Sequence, residues 1–424
     1  MNPPAPVTRT GLPARDAIAH KHSTAVPPTR GQYRCRMPLW TVPLADVVVP
    51  EEDIAVVADV YRSGWLSMGP QTAALEREFA AYVGARHALA VANGTAGLHL
   101  ICAAAGLGPR DEVVVPSMTF VATVNAIAYT GATPVFADVV SVTEPWLDPH
   151  AVDAALTERT RAVMTMAYGG HPGRTVALAA LARERGLMLL EDAAHAAVSR
   201  VGGRHLGTFG RAGAFSFFSN KNLAVGEGGM VVTDDDAAAA QMRLLRSHGM
   251  TTLTWDRHRG HASGYDVVEL GFNYRIDEPR AALARRRLAR LDAENARRAQ
   301  LDARYRDLLA DIDGLAPALR PPADARLAHH LFTVVLDDGM ERARFREALA
   351  ARGIQTSVHY PPAHRFSIYA WGGDLPVTEA YGARAVSLPL FATMTTAQQD
   401  EVVSAIRAAL GIRPAPADAR VFPR

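Results

Sequence analysis

The chain has 424 residues, 49% of them hydrophobic, with 45 Lys and Arg against 43 Asp and Glu. That length suits a large domain plus a smaller one, and so balanced a charge, with no arginine-rich run beside aromatics, gives no reason to expect a nucleic-acid partner. Cys35 and Cys102 stand in unrelated contexts without metal spacing, and no stretch reads as a signal core or membrane span, so a cytoplasmic protein with no metal and no membrane partner is expected.

Residues 1–37 are rich in Pro, Arg, Thr and His without periodicity and read as a flexible extension. From about 50 to 250, short apolar strands alternate with alanine-rich amphipathic helices, among them helix 71–83 stopping at Gly84, strand 161–166 and helix 175–186. This rhythm predicts an α/β fold with a mostly parallel sheet between helix layers, over a large domain 38–276. Ala90-Val91-Ala92, then Asn93-Gly94-Thr95-Ala96-Gly97, read as strand, tight turn and helix start. Free N–H groups there, with the Thr95 hydroxyl, would make an anion site, although many such turns only begin a helix. Glu112-Val113-Val114-Val115-Pro116 is a second buried strand, leading to Ser117-Met118-Thr119-Phe120, where Phe120 is either core or a platform for a flat ring.

Leu187-Met188-Leu189-Leu190 is a third buried strand, ending in Glu191-Asp192-Ala193-Ala194-His195. A carboxylate at the carboxyl end of a parallel strand points into the crevice where such sheets bind ligands. Asp192 either serves a ligand there or caps a following helix, with Glu191 on the opposite side of the strand. His195 would then lie one helical turn along on the same side, near the ligand or on the helix surface.

Phe215-Ser216-Phe217-Phe218-Ser219-Asn220-Lys221 runs into Gly226-Glu227-Gly228-Gly229. The chain uses arginine almost everywhere, and its only other lysine is Lys21. A lysine kept among apolar neighbours is wanted as a primary amine rather than as a charge, because burial disfavours its ammonium form. The chemistry that most needs such an amine is a Schiff base, above all with pyridoxal phosphate (PLP). PLP also needs a buried carboxylate at its ring nitrogen, which favours Asp192 as that group. Ser216 offers a phosphate hydroxyl, though a serine on a strand is commonly structural.

In segment 251–265, His258 and His261 invite a metal reading, but no cysteine or carboxylate cluster accompanies them. A loop over the mouth of the site is favoured, where Trp255 and Arg257 could meet a nucleotide's base or diphosphate. Residues 277–311 read as one long connector helix. Strand 331–336 and helices 341–352 and 395–409 complete a small α/β domain within 277–412, before a loose tail 413–424 with three prolines.

In order and wording these parts resemble the DegT/StrS family of PLP-dependent sugar aminotransferases, of fold type I. Further matching motifs are Ser63-Gly64-Trp65-Leu66-Ser67-Met68-Gly69-Pro70, Leu270-Gly271-Phe272-Asn273-Tyr274-Arg275, His329-His330-Leu331-Phe332, Val358-His359-Tyr360-Pro361 and Ser387-Leu388-Pro389-Leu390. Together they span roughly residues 40 to 412. The resemblance implies that Lys221 binds the cofactor covalently and moves the proton, that Asp192 holds the pyridinium, and that His195 sits near the ring oxygen. It also implies that Phe120 stacks on the ring and that Gly94, Thr95, Ala96 and Ser216 bind the phosphate. Asn273 would reach the phosphate of the neighbouring subunit in a homodimer with shared sites. Many relatives carry a histidine before the aromatic near Gly170, where this chain reads Met166-Ala167-Tyr168.

The implied reaction moves an amino group from an amino acid, L-glutamate first among donors, to a keto-sugar nucleotide. Gly226-Glu227-Gly228-Gly229 resembles members that aminate position 4, whereas relatives acting at position 3 more often read Gly-Asp. A dehydrating branch replaces the lysine with histidine, so Lys221 argues against it. A keto-cyclitol aminotransferase stays open, as does a PLP-binding regulator without turnover, although residues 1–37 hold no helix-turn-helix pattern.

Overall fold

The computed structural model describes residues 40–412, apart from 253, 254, 256, 257, 259, 261–263 and 370–372. The expected extension 1–37 and tail from 413 lie outside the described residues, as do Arg257 and His261.

Strands β1 (His87–Val91), β2 (Glu112–Pro116), β3 (Thr133–Ala137), β4 (Thr160–Met166) and β5 (Met188–Asp192) are short, and β2 is wholly buried. After two small strands, β6 (Arg200–Val201) and β7 (Arg204–His205), come β8 (Ala212–Ser216) and β9 (Gly229–Thr233). The main sheet has seven strands in the order β1-β9-β8-β5-β4-β2-β3. Only β9 runs against its neighbours, so the expected mostly parallel sheet is found. Alternate residues feed opposite cores, as the strand period requires. Val113, Val115 and Leu190 pack with α3 (Gly94–Ala104) and α4 (Val121–Ala128), while Val114 and Leu189 face Leu178 and Ala182 on the other side.

A second sheet, β10-β12-β13, joins β10 (Leu315–Pro317), β12 (Phe332–Leu336) and β13 (Ala385–Leu388), all antiparallel. Strand β11 (Ala325–Arg326) pairs instead with β6. Helices Arg342–Ala350 and Thr396–Ala409 close this smaller core around Tyr305, Phe332 and Phe345.

The expected long helix 277–311 is two helices, Glu278–Leu288 and Leu291–Leu309. No Pro or Gly marks the break, because its cause is tertiary. The first helix buries Ala281 and Ala284 against the main sheet's outer helices, and the second turns Leu301, Tyr305 and Leu309 into the smaller core. Asp53, fully buried, ties the junction by accepting from Arg287 Nε at 2.8 Å and Arg290 Nη1 at 2.7 Å. At the other end Glu278 accepts from the N–H groups of Gly69, Gln71 and Thr72 at 2.7–2.8 Å. A carboxylate thus caps the helix Pro70–Val83 from across the chain and fixes the Ser63–Pro70 segment.

Every parallel strand of the main sheet ends on the same edge. The segments that follow β1, β2, β4, β5 and β8 therefore converge there, which is where open α/β sheets place ligands.

Candidate active site

These segments line a cavity of about 710 Å³ that holds all the expected site residues: Gly94, Thr95, Ala96, Phe120, Asp192, His195, Ser216, Lys221 and Asn273. Such a volume suits a small-molecule site.

After β1, Asn93 caps α3, its side chain accepting from Ala96 N at 2.8 Å. The first-turn N–H groups of Gly94 and Thr95 have no intrahelical acceptor and open onto the cavity. Gly94 is required by proximity: a Cβ there would lie 2.9 Å from the Ser216 Cβ. The helix start and the end of β8 thus approach closely enough to present N–H groups and the Ser216 and Thr95 hydroxyls together. That donor set suits a phosphate.

After β2, Phe120 stands at the N-cap position of α4 and remains 50% exposed, its ring open to the cavity. It forms a wall of the cavity, with its ring 5.5 Å from that of Tyr360.

Asp192 ends β5 and is 2% exposed. Its Oδ1 accepts from Ala194 N at 2.9 Å and its Oδ2 from the Thr123 hydroxyl at 2.6 Å. Thr119 and Thr123 share a further hydroxyl bond at 2.6 Å. Burial raises the Asp192 carboxyl above its ordinary pKa; the Thr123 and Ala194 bonds and the Lys221 charge oppose that rise without cancelling it. Glu191 faces away, as expected, and accepts from Gly207 N at 2.8 Å and Gly210 N at 2.6 Å. The expected helix after Asp192 does not form: residues 193–199 are turns, so His195 reaches the cavity by a bend rather than by helical spacing. The Ala194 N–H bond to Asp192 stabilises that turn.

Lys221 follows β8 in a loop pinned on both sides. Its own N–H donates to Phe218 O at 2.9 Å, while Asn222 Nδ2 donates to Ala328 O at 2.6 Å and Leu223 is fully buried. Burial lowers the ammonium pKa to about 8, the Asp192 charge pulling in the other direction. A substantial share of free amine is therefore present at mildly alkaline pH.

Sequence reasoning matched the motifs containing His330, His359 and Tyr360 but gave these residues no role. His359 and Tyr360 line the cavity. His330 Nδ1 lies 3.0 Å from Asn222 Oδ1, and its ring is 4.2 Å from that of His195. Burial, aided by the Lys221 charge, pushes the pKa values of His195, His330 and His359 down, His359 to about 4. Three neutral histidines therefore surround one titrating amine. His330 lies just before β12, and His359 and Tyr360 lie between the helix Arg342–Ala350 and β13, so no local pattern brings them to the main sheet's edge.

Met166-Ala167-Tyr168, where many relatives carry a histidine, supplies a buried Tyr168 whose hydroxyl donates to His359 O. Asn273 lies exposed at the rim of the cavity in its own chain. Trp255 does not line the cavity; its ring packs 4.7 Å from Trp65, with His258 4.6 Å from Trp65. The Trp65–Trp255 contact is edge-on, and His258 stays exposed. Among the described residues no group of three or more His, Cys, Asp or Glu could hold a metal ion, and no helix is long and apolar enough to cross a membrane.

A model of the DegT/DnrJ/EryC1/StrS aminotransferase family matches residues 48–407. The spore coat polysaccharide biosynthesis protein SpsC of Bacillus subtilis is 40% identical over 377 residues, covering 86% of this chain and 96% of SpsC. The crystal structure of S. venezuelae DesV in complex with a ketimine intermediate is 38% identical, with TM-score 0.80, covering 87% of this chain and 98% of DesV. The PLP-form of Spr1654 from Streptococcus pneumoniae is 25% identical, with TM-score 0.79, covering 88% and 99%.

Proposed function

The chain belongs to the DegT/DnrJ/EryC1/StrS aminotransferase family and is a PLP-dependent sugar aminotransferase of fold type I; we propose that it moves an amino group from L-glutamate to the ketone of a sugar carried on a nucleoside diphosphate. The 4-keto sugar is favoured over the 3-keto sugar, on the Gly226-Glu227-Gly228-Gly229 text. A cytoplasmic setting, where nucleotide sugars are made and used, goes with this reading.

The observation that carries the site reading is the placement of a buried carboxylate and a depressed-pKa amine in one cavity beside an exposed phenylalanine. The residues fit PLP: the close approach at Gly94 leaves a cradle for its phosphate, and Phe120 offers a face for its ring. When bound, PLP supplies a protonated pyridine ring that withdraws electrons from the carbon next to the substrate nitrogen. Lys221 would hold the group by its amine. Its Nζ then takes and returns the proton at that substrate carbon. Asp192 keeps the ring nitrogen protonated, and its oxygens stay aimed because Thr123 and Ala194 hold them.

Thr123→Val keeps the side chain's shape and removes the donor. The buried oxygen left without it should cost about 1–3 kcal/mol, read as a lower Tm, and PLP should bind more weakly. An unchanged Tm and PLP affinity would show that the Thr123 bond contributes nothing.

The functional unit proposed is a homodimer in which Asn273 of each chain serves the phosphate site of the other. Support comes from the exposed apolar residues that precede Asn273: Val267 is 52%, Val268 56% and Leu270 92% exposed, a patch suited to a second copy. Mixing Lys221→Ala with Asn273→Ala subunits should restore activity, since one hybrid site collects both lesions and the other neither. A fully active, strictly monomeric protein in sedimentation would rule the shared site out.

The substrate class is tested by assaying the protein with glutamate against 3-keto and 4-keto nucleotide sugars and keto-cyclitols. Turnover of a 4-keto nucleotide sugar is expected. Preference for a keto-cyclitol, or no turnover of any, would overturn the proposal.

A further inference from the structure

Two hydroxyls stand in line behind Asp192. Thr123, in the first turn of α4, donates from Oγ1 to Asp192 Oδ2 at 2.6 Å, and Thr119 Oγ1 lies 2.6 Å from Thr123 Oγ1. Both threonines are fully buried, and neither lines the cavity. Beyond Thr119 the row ends at the Met166 sulfur, 3.0 Å from the Thr119 Oγ1. Each hydroxyl has a single hydrogen to place.

The charge of Asp192 sets the direction of these hydrogens. An ionised carboxylate only accepts, so the Thr123 hydrogen goes to Asp192 and the Thr123 oxygen is left to accept from Thr119. In the reverse order a protonated Asp192 would donate to Thr123, and Thr123 to Thr119. The last hydrogen would then fall to the Met166 thioether, a weak acceptor. The row is therefore well made only when Asp192 is charged. Burial works against that charge. In a dry interior, hydrogen bonds in series polarise one another, so the carboxylate feels the second donor through the first.

We infer that Thr119 is a positioning residue for the reaction: through Thr123 it holds Asp192 as an oriented carboxylate, and the Met166 sulfur at the far end keeps the row from reversing. This gives the Pro116-Ser117-Met118-Thr119-Phe120 motif a second role beside that of Phe120, exerted from outside the cavity. The inference rests on the cavity being the PLP site with Asp192 at the ring nitrogen.

The test reads Asp192 directly in the cofactor-free protein, by NMR of isotope-labelled aspartate carboxyls, with Asp192→Asn identifying the resonance. Besides the tyrosines, the titratable groups that share the cavity with this carboxyl are His99, His195, Lys221, Glu227 and His359, and the threonine variants leave them in place. Thr119→Val should raise the Asp192 pH midpoint by about half a unit and Thr123→Val by about one to two units. The double variant should shift it no further than Thr123→Val alone, as for two donors in series. With PLP bound, Thr119→Val should slow both half-reactions about threefold and leave the donor's KM nearly unchanged. Thr119→Ser should restore both readings, and in the Asp192→Asn background Thr119→Val should change neither rate. Thr119→Ala, which also lacks the hydroxyl, gives the same reading if the valine protein does not fold. An unchanged Asp192 midpoint in Thr119→Val, even with a lowered Tm, makes Thr119 a structural hydroxyl only and overturns the inference. So do shifts that add in the double variant, a serine that fails to restore, or a slowdown that persists beside Asp192→Asn. Near-normal half-reaction rates in Asp192→Asn alone instead overturn the site reading, and the inference with it.

Discussion

Lys221→Ala is expected to abolish transamination, with a loss of roughly four powers of ten or more. Alanine can neither hold PLP covalently nor carry a proton, and the cavity lining contains no second lysine. The pH dependence of the intact protein follows from the same burial. The Lys221 ammonium pKa is lowered from 10.5 to about 8, so the unfolded chain binds more protons than the folded one between those values. Stability of the cofactor-free protein should thus rise with pH through that window, as the cost of burying a charged amine is relieved. The rate of PLP capture should rise with pH and level off above about 8. Capture that keeps rising toward pH 10.5 would mean that Lys221 is solvated like an ordinary surface lysine.

Asp192→Asn should keep the cofactor bound yet slow both half-reactions by about 2–4 powers of ten. The amide can still accept from Thr123 or Ala194, so the turn is retained, and the phosphate cradle at Gly94 and Ser216 is untouched. What is lost is the negative charge that keeps the ring nitrogen protonated. Stopped-flow measurement of each half-reaction separates this from weakened binding. Near-normal rates would reduce Asp192 to an acceptor for the Ala194 N–H.

Much of this site could be read from the sequence because its chemistry is local. A lysine kept in an arginine-using chain, a carboxylate ending an apolar run and a Gly-Thr turn after a strand each carry their own physical reason. Strand ends also fall on one edge of a parallel sheet whatever the loops do, so Asp192, Ser216 and Phe120 line one cavity. What sequence reasoning misplaced depends on distant contacts. The helix break at residues 289–290 has no local marker, because it is set by which core each half buries. His195 reaches the cavity through a turn that has no helical period. Tyr360 and His359 come from a segment more than a hundred residues after Lys221, and only the folded chain brings them to the lysine.

The proposed chemistry requires Lys221 to be the amine that takes PLP, and the chain offers only one other lysine, Lys21. Borohydride reduction of the PLP-loaded protein, digestion and mass spectrometry would locate the attachment directly. The pyridoxyl label is predicted on the peptide containing Lys221, in stoichiometric yield and absent from Lys221→Ala. Recovery of the label on Lys21 or on the N-terminal amine would contradict it.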